Sequence, residues 1–260
     1  MSNKPYKGFE PKWLLTPAPA DSYRSIFRWG DPNFFKYPKE SLYTLMKETF
    51  KMTDDDFKEY SDDIGFDPVD LSDHPVQLAP EHIESLKKIV GERNVSTTDY
   101  DRLSVAYGFT AYDILRLRHK RIDSVPDVVL YPETSEQVEQ IVAYSTEHHI
   151  PLYVYGGGSS VTRGVEPVKG GISLDMRRNF NKVISFNEID QTITVQAGMS
   201  GPDLEKTLQS APELFDAKRQ YTCGHFPQSF EYSSVGGWTV TRGAGQNSTY
   251  YGTIADIVLS

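Results

Sequence analysis

Apolar residues recur in the first half of the chain at spacings typical of helices. Spacings of three and four residues predict a helix over residues 40–60 and another over residues 80–93. Over residues 99–119 they predict either one helix or a pair broken at Gly108. Residues 1–40 are rich in aromatic residues and proline, and we interpret them as irregular. The first half is therefore expected to be helical with irregular joins.

The pattern then changes to short β-branched runs that alternate with one helix. Residues 128–131 and residues 151–155 each predict a strand. Between them, Thr134 and Gln137 have the spacing of a capping box, and the helix that they open is expected to end at His148. A strand–helix–strand unit is the usual frame of a parallel pair of strands.

Further strands and one helix are predicted towards the end of the chain. Residues 172–174 and 192–196 have strand character, and a helix is expected to begin near Pro202. The β-rich run Ile254 to Leu259 predicts a last strand. Because a strand is an unusual place for a chain to stop, we expect the natural protein to continue beyond Ser260.

Charge and composition narrow the classes of function. The formal net charge of -9 argues against nucleic acid as the main partner, because a phosphate backbone requires a basic face. The single cysteine, Cys223, excludes an internal disulfide and a cysteine-rich zinc site. The acidic stretch from Asp54 to Asp73 lacks the spacing of a calcium loop, so no metal site is expected.

The same features bear on location. No run approaches the roughly 20 apolar residues of a membrane span, and the N-terminus lacks the apolar run of a secretory signal. The low cysteine content suits a reducing compartment. We expect a cytoplasmic protein, with peroxisomal or membrane-peripheral placement left open.

The second predicted strand leads into residues 156–160, GGGSS, here called the glycine loop. Three glycines allow a tight turn and a close approach of the backbone to a ligand. Consecutive amides in such a turn can hold an anion, and the two serines add hydroxyl donors. No helix clearly follows, so the loop is neither a dinucleotide G-x-G-x-x-G motif nor a Walker loop. A plain flexible turn is the alternative interpretation.

Residues 233–245, SSVGGWTVTRGAG, form a second feature, here called the small-residue segment. Serine, glycine and alanine occupy most of its positions, which permits close backbone contact with an extended ligand. We interpret it as a loop. Arg242 adds a fixed charge with a planar fork of donors. The alternative is a tightly packed loop that carries one surface arginine.

The order of these features resembles the FAD domain of the vanillyl-alcohol-oxidase type of flavoproteins, which are also described as carrying a PCMH-type FAD-binding domain. The match narrows to the alkyl-dihydroxyacetone-phosphate synthases. It rests on residues 126–132, on the signature residues between Gly224 and Glu231, and on Trp238 and Arg242. It extends upstream to Asp101, Arg102, Gly108, residues 115–118 and residues 28–30.

The resemblance implies an α+β fold. A helical and irregular region over residues 1–121 would precede a PCMH-type domain over 122–260. The first of its two α/β subdomains would span about 122–190, and the second would be incomplete.

The resemblance also implies the cofactor and its site. FAD is expected to bind non-covalently, because Ser159 stands where covalent members often have a histidine and Phe230 stands where a cysteine linkage would need a thiol. The implied FAD-binding residues are Tyr155, Gly156, Gly157, Gly158, Ser159, Ser160, Ser229, Ser233, Ser234, Gly236, Gly237, Thr241, Arg242, Gly245 and Ile254. The family's catalytic tyrosine and histidines correspond to positions beyond Ser260. His225 is expected to have a structural hydrogen-bonding role rather than a catalytic one.

Three functions remain open at this stage. The first is exchange of the acyl group of an acylated dihydroxyacetone phosphate for a fatty alcohol, with a small-molecule or lipid substrate. The second is an FAD-dependent oxidoreductase acting on a 2-hydroxy acid or another alcohol. The third is a flavin-binding module that is inactive alone. Trp238 and Arg242 favour the first, because the related dehydrogenases usually carry asparagine at both positions. Peripheral membrane contact and a homodimer are left open.

Overall fold

The computed structural model describes residues 16–26, 39–57 and 65–260. The chain divides into two compact units, one of residues 1–69 with 114–121 and the other of residues 70–113 with 122–260. Part of the aromatic-rich N-terminal segment lies outside the described residues, including residues 28–30 and the side chains of Trp13, Trp29, Phe34, Phe35 and Tyr37.

The described part of the first unit contains helices and irregular segments. Helix α1 spans Tyr23–Ile26 and helix α2 spans Glu40–Phe50. The helix predicted over residues 40–60 is therefore shorter than expected. It ends at Phe50, and the C-cap residue Lys51 takes a left-handed conformation with φ of 57°.

Three further helices of the described residues precede the parallel strands in the chain. Helix α3 spans Pro80–Val90, α4 spans Asp99–Ser104 and α5 spans Ala111–Arg118. The broken pair predicted over residues 99–119 is confirmed, with Gly108 in the connection. Thr98 opens α4 by accepting a hydrogen bond from the Asp101 amide at 3.3 Å.

The second unit contains a four-stranded sheet in the order β1-β2-β4-β3. The strands are β1 (Val95–Ser96), β2 (Val128–Leu130), β3 (Leu152–Tyr155) and β4 (Ile172–Asp175). Both β2 and β3 run parallel to β4, whereas β1 pairs antiparallel with β2. The predicted parallel direction of β2 and β3 is confirmed, but β4 lies between these two strands in the sheet.

Helix α6, Ser135–Glu147, connects β2 to β3 and begins at a partly formed capping box. The Thr134 side chain accepts from the Gln137 amide, as predicted. The Gln137 side chain instead accepts from the Glu133 amide at 2.7 Å. The sheet and helices α3 and α6 enclose a core that includes Leu86, Val128, Leu130, Ile141, Ile172 and Leu174.

A second core in the same unit is built around an antiparallel pair, β5 (Val183–Asn187) and β6 (Thr192–Val195). Helices α7 (Gly201–Gln209), α8 (Ala211–Phe215), α9 (Val235–Thr241), α10 (Ser248–Tyr251) and α11 (Ile254–Ile257) follow. The helix predicted near Pro202 is confirmed as α7. Its buried residues pack with those of α9 and α11, namely Leu204, Leu208, Trp238 and Ile254, together with Met199.

Two predictions of local structure are wrong. Residues 254–259 do not form a strand, because Thr253 and Asp256 form a complete capping box that opens α11. Residues 235–241 are not a loop, because the Ser234 hydroxyl caps α9 by accepting from the Gly237 amide at 3.3 Å. In both cases a polar side chain at the N-cap determines the conformation.

Among the described residues, no helix is both long and apolar enough to cross a bilayer.

Candidate functional site

The glycine loop begins where β3 ends, at the carboxyl edge of the parallel strands. Tyr155 is the last residue of β3 and is only 2% exposed. Gly158 has φ of 74°, a conformation that favours glycine. Within the described part of the chain, the amides of residues 156–160 donate no hydrogen bond to another group. The loop therefore presents a row of unused donors at the edge where ligands of parallel sheets bind.

Helix α9, within the small-residue segment, uses its first amides in hydrogen bonds within the chain. The Val235 amide donates to the Met199 carbonyl at 2.9 Å, and the Gly236 amide donates to the Ala197 carbonyl at 2.8 Å. A Cβ on Gly236 would lie 2.7 Å from that of Ala197, so this glycine is required by packing. The N-terminus of α9 therefore offers few free amides to a ligand.

The glycine loop and the small-residue segment lie in direct contact. A Cβ on Gly157 would overlap the Tyr232 carbonyl and the Ser233 backbone, and a Cβ on Gly156 would overlap the Ser234 hydroxyl. At Gly157 the obstacle is backbone, so only glycine fits there without moving the two segments apart. At Gly156 the obstacle is the Ser234 side chain. The structure thus brings together two features that are far apart in sequence.

Gly108 holds the far end of the glycine loop. A Cβ at this position would overlap the Ser160 carbonyl, which also accepts a hydrogen bond from the Phe109 amide at 3.0 Å. In the sequence, Gly108 indicated only a break between helices and a match to the family. Its contact with Ser160 shows that it also fixes the end of the loop.

Trp238 connects the small-residue segment to the turn that precedes it. The indole is 3% exposed, and its Nε1 donates to the Ser233 Oγ at 2.6 Å. The Ser233 Oγ in turn donates to the Ser229 carbonyl at 2.7 Å. The Phe230 ring stacks on the indole with centroids 6.0 Å apart. This chain of bonds fixes the backbone that contacts Gly157.

His225 packs edge-on against Trp238 with ring centroids 5.0 Å apart. It is 1% exposed, and neither ring nitrogen has a hydrogen-bond partner among the described residues. Burial lowers the pKa of the imidazole from its ordinary value, so the neutral form is favoured. The structural hydrogen-bonding role expected for His225 is therefore not seen in this structure.

The remaining residues implied by the family resemblance have different surroundings. The Thr241 Oγ1 donates to the Gly237 carbonyl at 2.8 Å within α9. Arg242 is exposed at the end of α9, with φ of 50°, and it has no ion pair within the described residues. Gly245 packs on the Phe226 backbone. Ile254 is 2% exposed and packs in the core with Trp238, apart from the glycine loop.

A cation close to the glycine loop is already paired. Arg163 donates through Nε to Glu166 at 2.6 Å and through Nη2 to the same carboxylate at 2.9 Å. These bonds raise the pKa of the Arg163 guanidinium. The unused donors of the loop are therefore neutral amides and the hydroxyl of Ser159.

Two cavities flank the turn before α9. The larger, of about 790 Å³, includes Glu205, Tyr221, Phe226 and Phe230 in its lining. Glu205 is 6% exposed and accepts from the Thr222 hydroxyl and from the Cys223 amide. The smaller cavity, of about 330 Å³, shares Phe226 and Phe230 as part of its wall. The two phenylalanines therefore separate two open spaces beside the small-residue segment.

Comparison with known proteins shows which protein family the sequence matches. Residues 126–260 match the family model described as FAD binding domain. The chain is 32% identical over 189 residues to the alkyldihydroxyacetonephosphate synthase of Dictyostelium discoideum, an alignment covering 72% of this chain and 30% of that relative. It is 26% identical over 198 residues to the mitochondrial D-lactate dehydrogenase (cytochrome) 1 of Saccharomyces cerevisiae, covering 75% of this chain and 31% of that relative.

A solved structure gives the same indication. A crystallised alkyldihydroxyacetonephosphate synthase aligns with a TM-score of 0.66 and 29% identity, over 72% of this chain and 34% of that one. The chain spans about a third of the length of the curated relatives that it matches.

Proposed function

The chain belongs to the FAD-binding domain family, and on that premise we propose that it supplies the flavin site of an enzyme similar to alkyldihydroxyacetonephosphate synthase. The reaction proposed for the whole protein consumes an acylated dihydroxyacetone phosphate and a fatty alcohol. It yields the alkyl ether of dihydroxyacetone phosphate and a fatty acid. The 32% identity to a synthase of that name carries this proposal.

The described residues fit the diphosphate of FAD. A diphosphate requires several hydrogen-bond donors that can approach it without steric obstruction, and the amides of residues 156–160 provide such a row. The absence of side chains on its three glycines lets the loop backbone pack closely on Ser233, Ser234 and Tyr155. The Ser159 and Ser160 hydroxyls add donors beside it. When bound, FAD would supply an electrophilic ring to which the substrate can be attached during the exchange.

We assign the rest of the flavin contacts to the face of the small-residue segment that the glycine loop approaches. Ser234 and Gly237 lie beside the loop contact, and a Cβ on Gly237 would meet only the Ser234 Oγ, at 3.3 Å. Gly237 therefore has more open space around it than Gly236. Arg242, exposed and unpaired within the described residues, is the proposed cation for a phosphate of the cofactor or the substrate.

FAD is proposed to bind without a covalent bond. Ser159 has no nucleophilic nitrogen, and Cys223 is half-buried with its thiol pKa raised by burial, which disfavours the reactive thiolate. Acid precipitation of the purified protein tests this. Yellow flavin should remain in the supernatant, and flavin in the washed pellet would disprove non-covalent binding.

The reaction is tested by two parallel assays on the whole protein. In the first, acyl-dihydroxyacetone phosphate and a labelled long-chain alcohol should give a labelled ether lipid. In the second, D-lactate, glycolate or glycerol phosphate is supplied with a dye acceptor, and no rapid dye reduction is expected. The similarity to D-lactate dehydrogenase makes the second assay the relevant alternative. Dye reduction without ether product would assign the protein to the oxidoreductases.

A further inference from the structure

Three side chains form a stack at the carboxyl edge of the parallel strands. Asp175 is the last residue of β4 and pairs in register with Tyr155, the last residue of β3. Both are almost fully buried, at 3% and 2% exposure. The Arg177 Nε donates to the Asp175 Oδ1 at 2.9 Å, and its Nη2 donates to the other oxygen. The guanidinium carbon lies 4.6 Å from the centroid of the Tyr155 ring. Asp175 therefore fixes Arg177 against the ring.

The glycine loop also contacts the Tyr155 ring. A Cβ on Gly158 would overlap the hydroxyl and the ring of Tyr155, so the loop backbone rests on that ring. The Tyr155 hydroxyl also contacts the Tyr107 carbonyl, at 3.4 Å. The ring thus contacts both the guanidinium of Arg177 and the left-handed turn at Gly158. A change in the ring's orientation would move the turn that carries the unused amides.

We infer that Arg177 is a positioning residue for the FAD site, acting through Tyr155 to hold the glycine loop in the conformation that presents its amides. This inference rests on the proposed role of the loop in binding the FAD diphosphate. The charge of Arg177 is matched by that of Asp175, so its effect on FAD comes from packing and orientation rather than from direct attraction. A planar guanidinium that bonds a carboxylate in a fork while stacking on a ring cannot be replaced by lysine.

The neighbouring arginine provides a matched control. Arg178 stacks on Tyr131 with a guanidinium-to-centroid distance of 4.7 Å, almost the same as for Arg177 on Tyr155. Arg178 is exposed, and Tyr131 follows β2 rather than β3. The variants Arg177→Gln and Arg178→Gln remove the same charge and the same type of stacking from adjacent positions. Only the first removes it from the ring that supports Gly158.

The test measures FAD affinity in the full chain by quenching of flavin fluorescence. Arg177→Gln should weaken FAD binding about tenfold, which corresponds to about 1.4 kcal/mol of binding free energy. Arg178→Gln should change FAD binding less than about twofold. Arg177→Lys should not restore wild-type affinity. Thermal midpoints of the FAD-free proteins are recorded in parallel. If Arg177→Gln alone fails to fold, the double variant Asp175→Asn/Arg177→Gln, which leaves no unpaired buried carboxylate, is measured in its place.

A double-mutant cycle distinguishes positioning from general destabilisation. In a Tyr155→Leu background, the change at Arg177 should have no further effect on FAD affinity, because its route to the loop is already lost. Tyr155→Phe, which keeps the ring, should preserve the effect. Additive losses, or wild-type affinity in Arg177→Gln, would overturn the inference. If Gly157→Ala also left FAD binding intact, the assignment of the loop would fail. If Gly157→Ala weakened binding while Arg177→Gln did not, only the role of Arg177 would fail.

Discussion

Gly157→Ala is the smallest change that tests whether the contact between the glycine loop and the small-residue segment determines FAD binding. The added methyl would overlap the Tyr232 carbonyl oxygen, the Tyr232 carbonyl carbon and the Ser233 Cα. All three are backbone atoms, so a side-chain rotation cannot relieve the overlap. The two segments must separate, or the methyl must be accommodated at the cost of strain.

The size of the effect follows from the cost of overpacking. Inserting a methylene-sized group into a packed contact costs about 1–3 kcal/mol. If FAD binding requires the two segments at their present separation, that cost appears in the dissociation constant. At about 1.4 kcal/mol per decade, Gly157→Ala should weaken FAD binding by about 5-fold to 150-fold.

Gly164→Ala is the matched control for this substitution. Its added methyl would meet only the Thr162 Oγ1, at 4.0 Å, and Gly164 does not have a positive φ. Both variants are titrated with FAD by fluorescence quenching, and both are unfolded in urea without FAD. Gly164→Ala should behave as wild type in both measurements. Wild-type FAD affinity in Gly157→Ala would refute the reasoning that this backbone contact shapes the site.

Three further predictions follow from the same region. Gly158→Val places a β-branched residue at φ of 74° and against the Tyr155 ring. The purified variant should therefore carry no FAD, measured as absorbance in the flavin band at about 450 nm. Trp238→Phe removes the indole donor to Ser233 and should lower the free energy of unfolding by at least about 1 kcal/mol in urea, with a smaller loss in a Ser233→Ala background. The pKa of His225 is lowered in the folded state. The stability that the neutral imidazole contributes is therefore present above the unfolded pKa of about 6.5 and is lost as pH falls below that value. Between about pH 7 and pH 5, the thermal midpoint of His225→Gln should depend less on pH than that of the wild type.

The strongly periodic elements could be predicted from the sequence, because their apolar spacing reflects the core that they build. Helix α7 buries Leu204 and Leu208 at the expected spacing, and β4 is buried along its whole length. The end of the chain could not be predicted in this way. The apolar run from Ile254 to Leu259 favours a strand by propensity, but the capping box of Thr253 and Asp256 opens a helix there. That signal is visible in the sequence and outweighs the composition of the run.

The strand order and the long-range contacts of the site could be determined only from the structure. The pattern of residues 126–155 indicates two parallel strands, but nothing local shows that β4 lies between them. Gly108 breaks a helical pattern, and only its position against Ser160 shows what it does for the glycine loop. Glycines with unremarkable neighbours in sequence become necessary when a backbone from a distant part of the chain lies against them.

If the glycine loop binds FAD as proposed, the different uses of the amides in the two glycine-rich features explain how an acidic chain can bind a dianionic diphosphate. The first amides of α9 donate hydrogen bonds to the carbonyls of Met199 and Ala197, so they stabilise the fold and are not free to bind a ligand. The amides of residues 156–160 have no acceptor within the described part of the chain, and the nearby Arg163 is paired with Glu166. An anion held by the glycine loop would therefore meet neutral donors first. Such donors attract phosphate without adding positive charge, so the net charge of -9 is no obstacle to this type of recognition. It also follows that FAD affinity at this loop should depend on backbone geometry more than on any single cation.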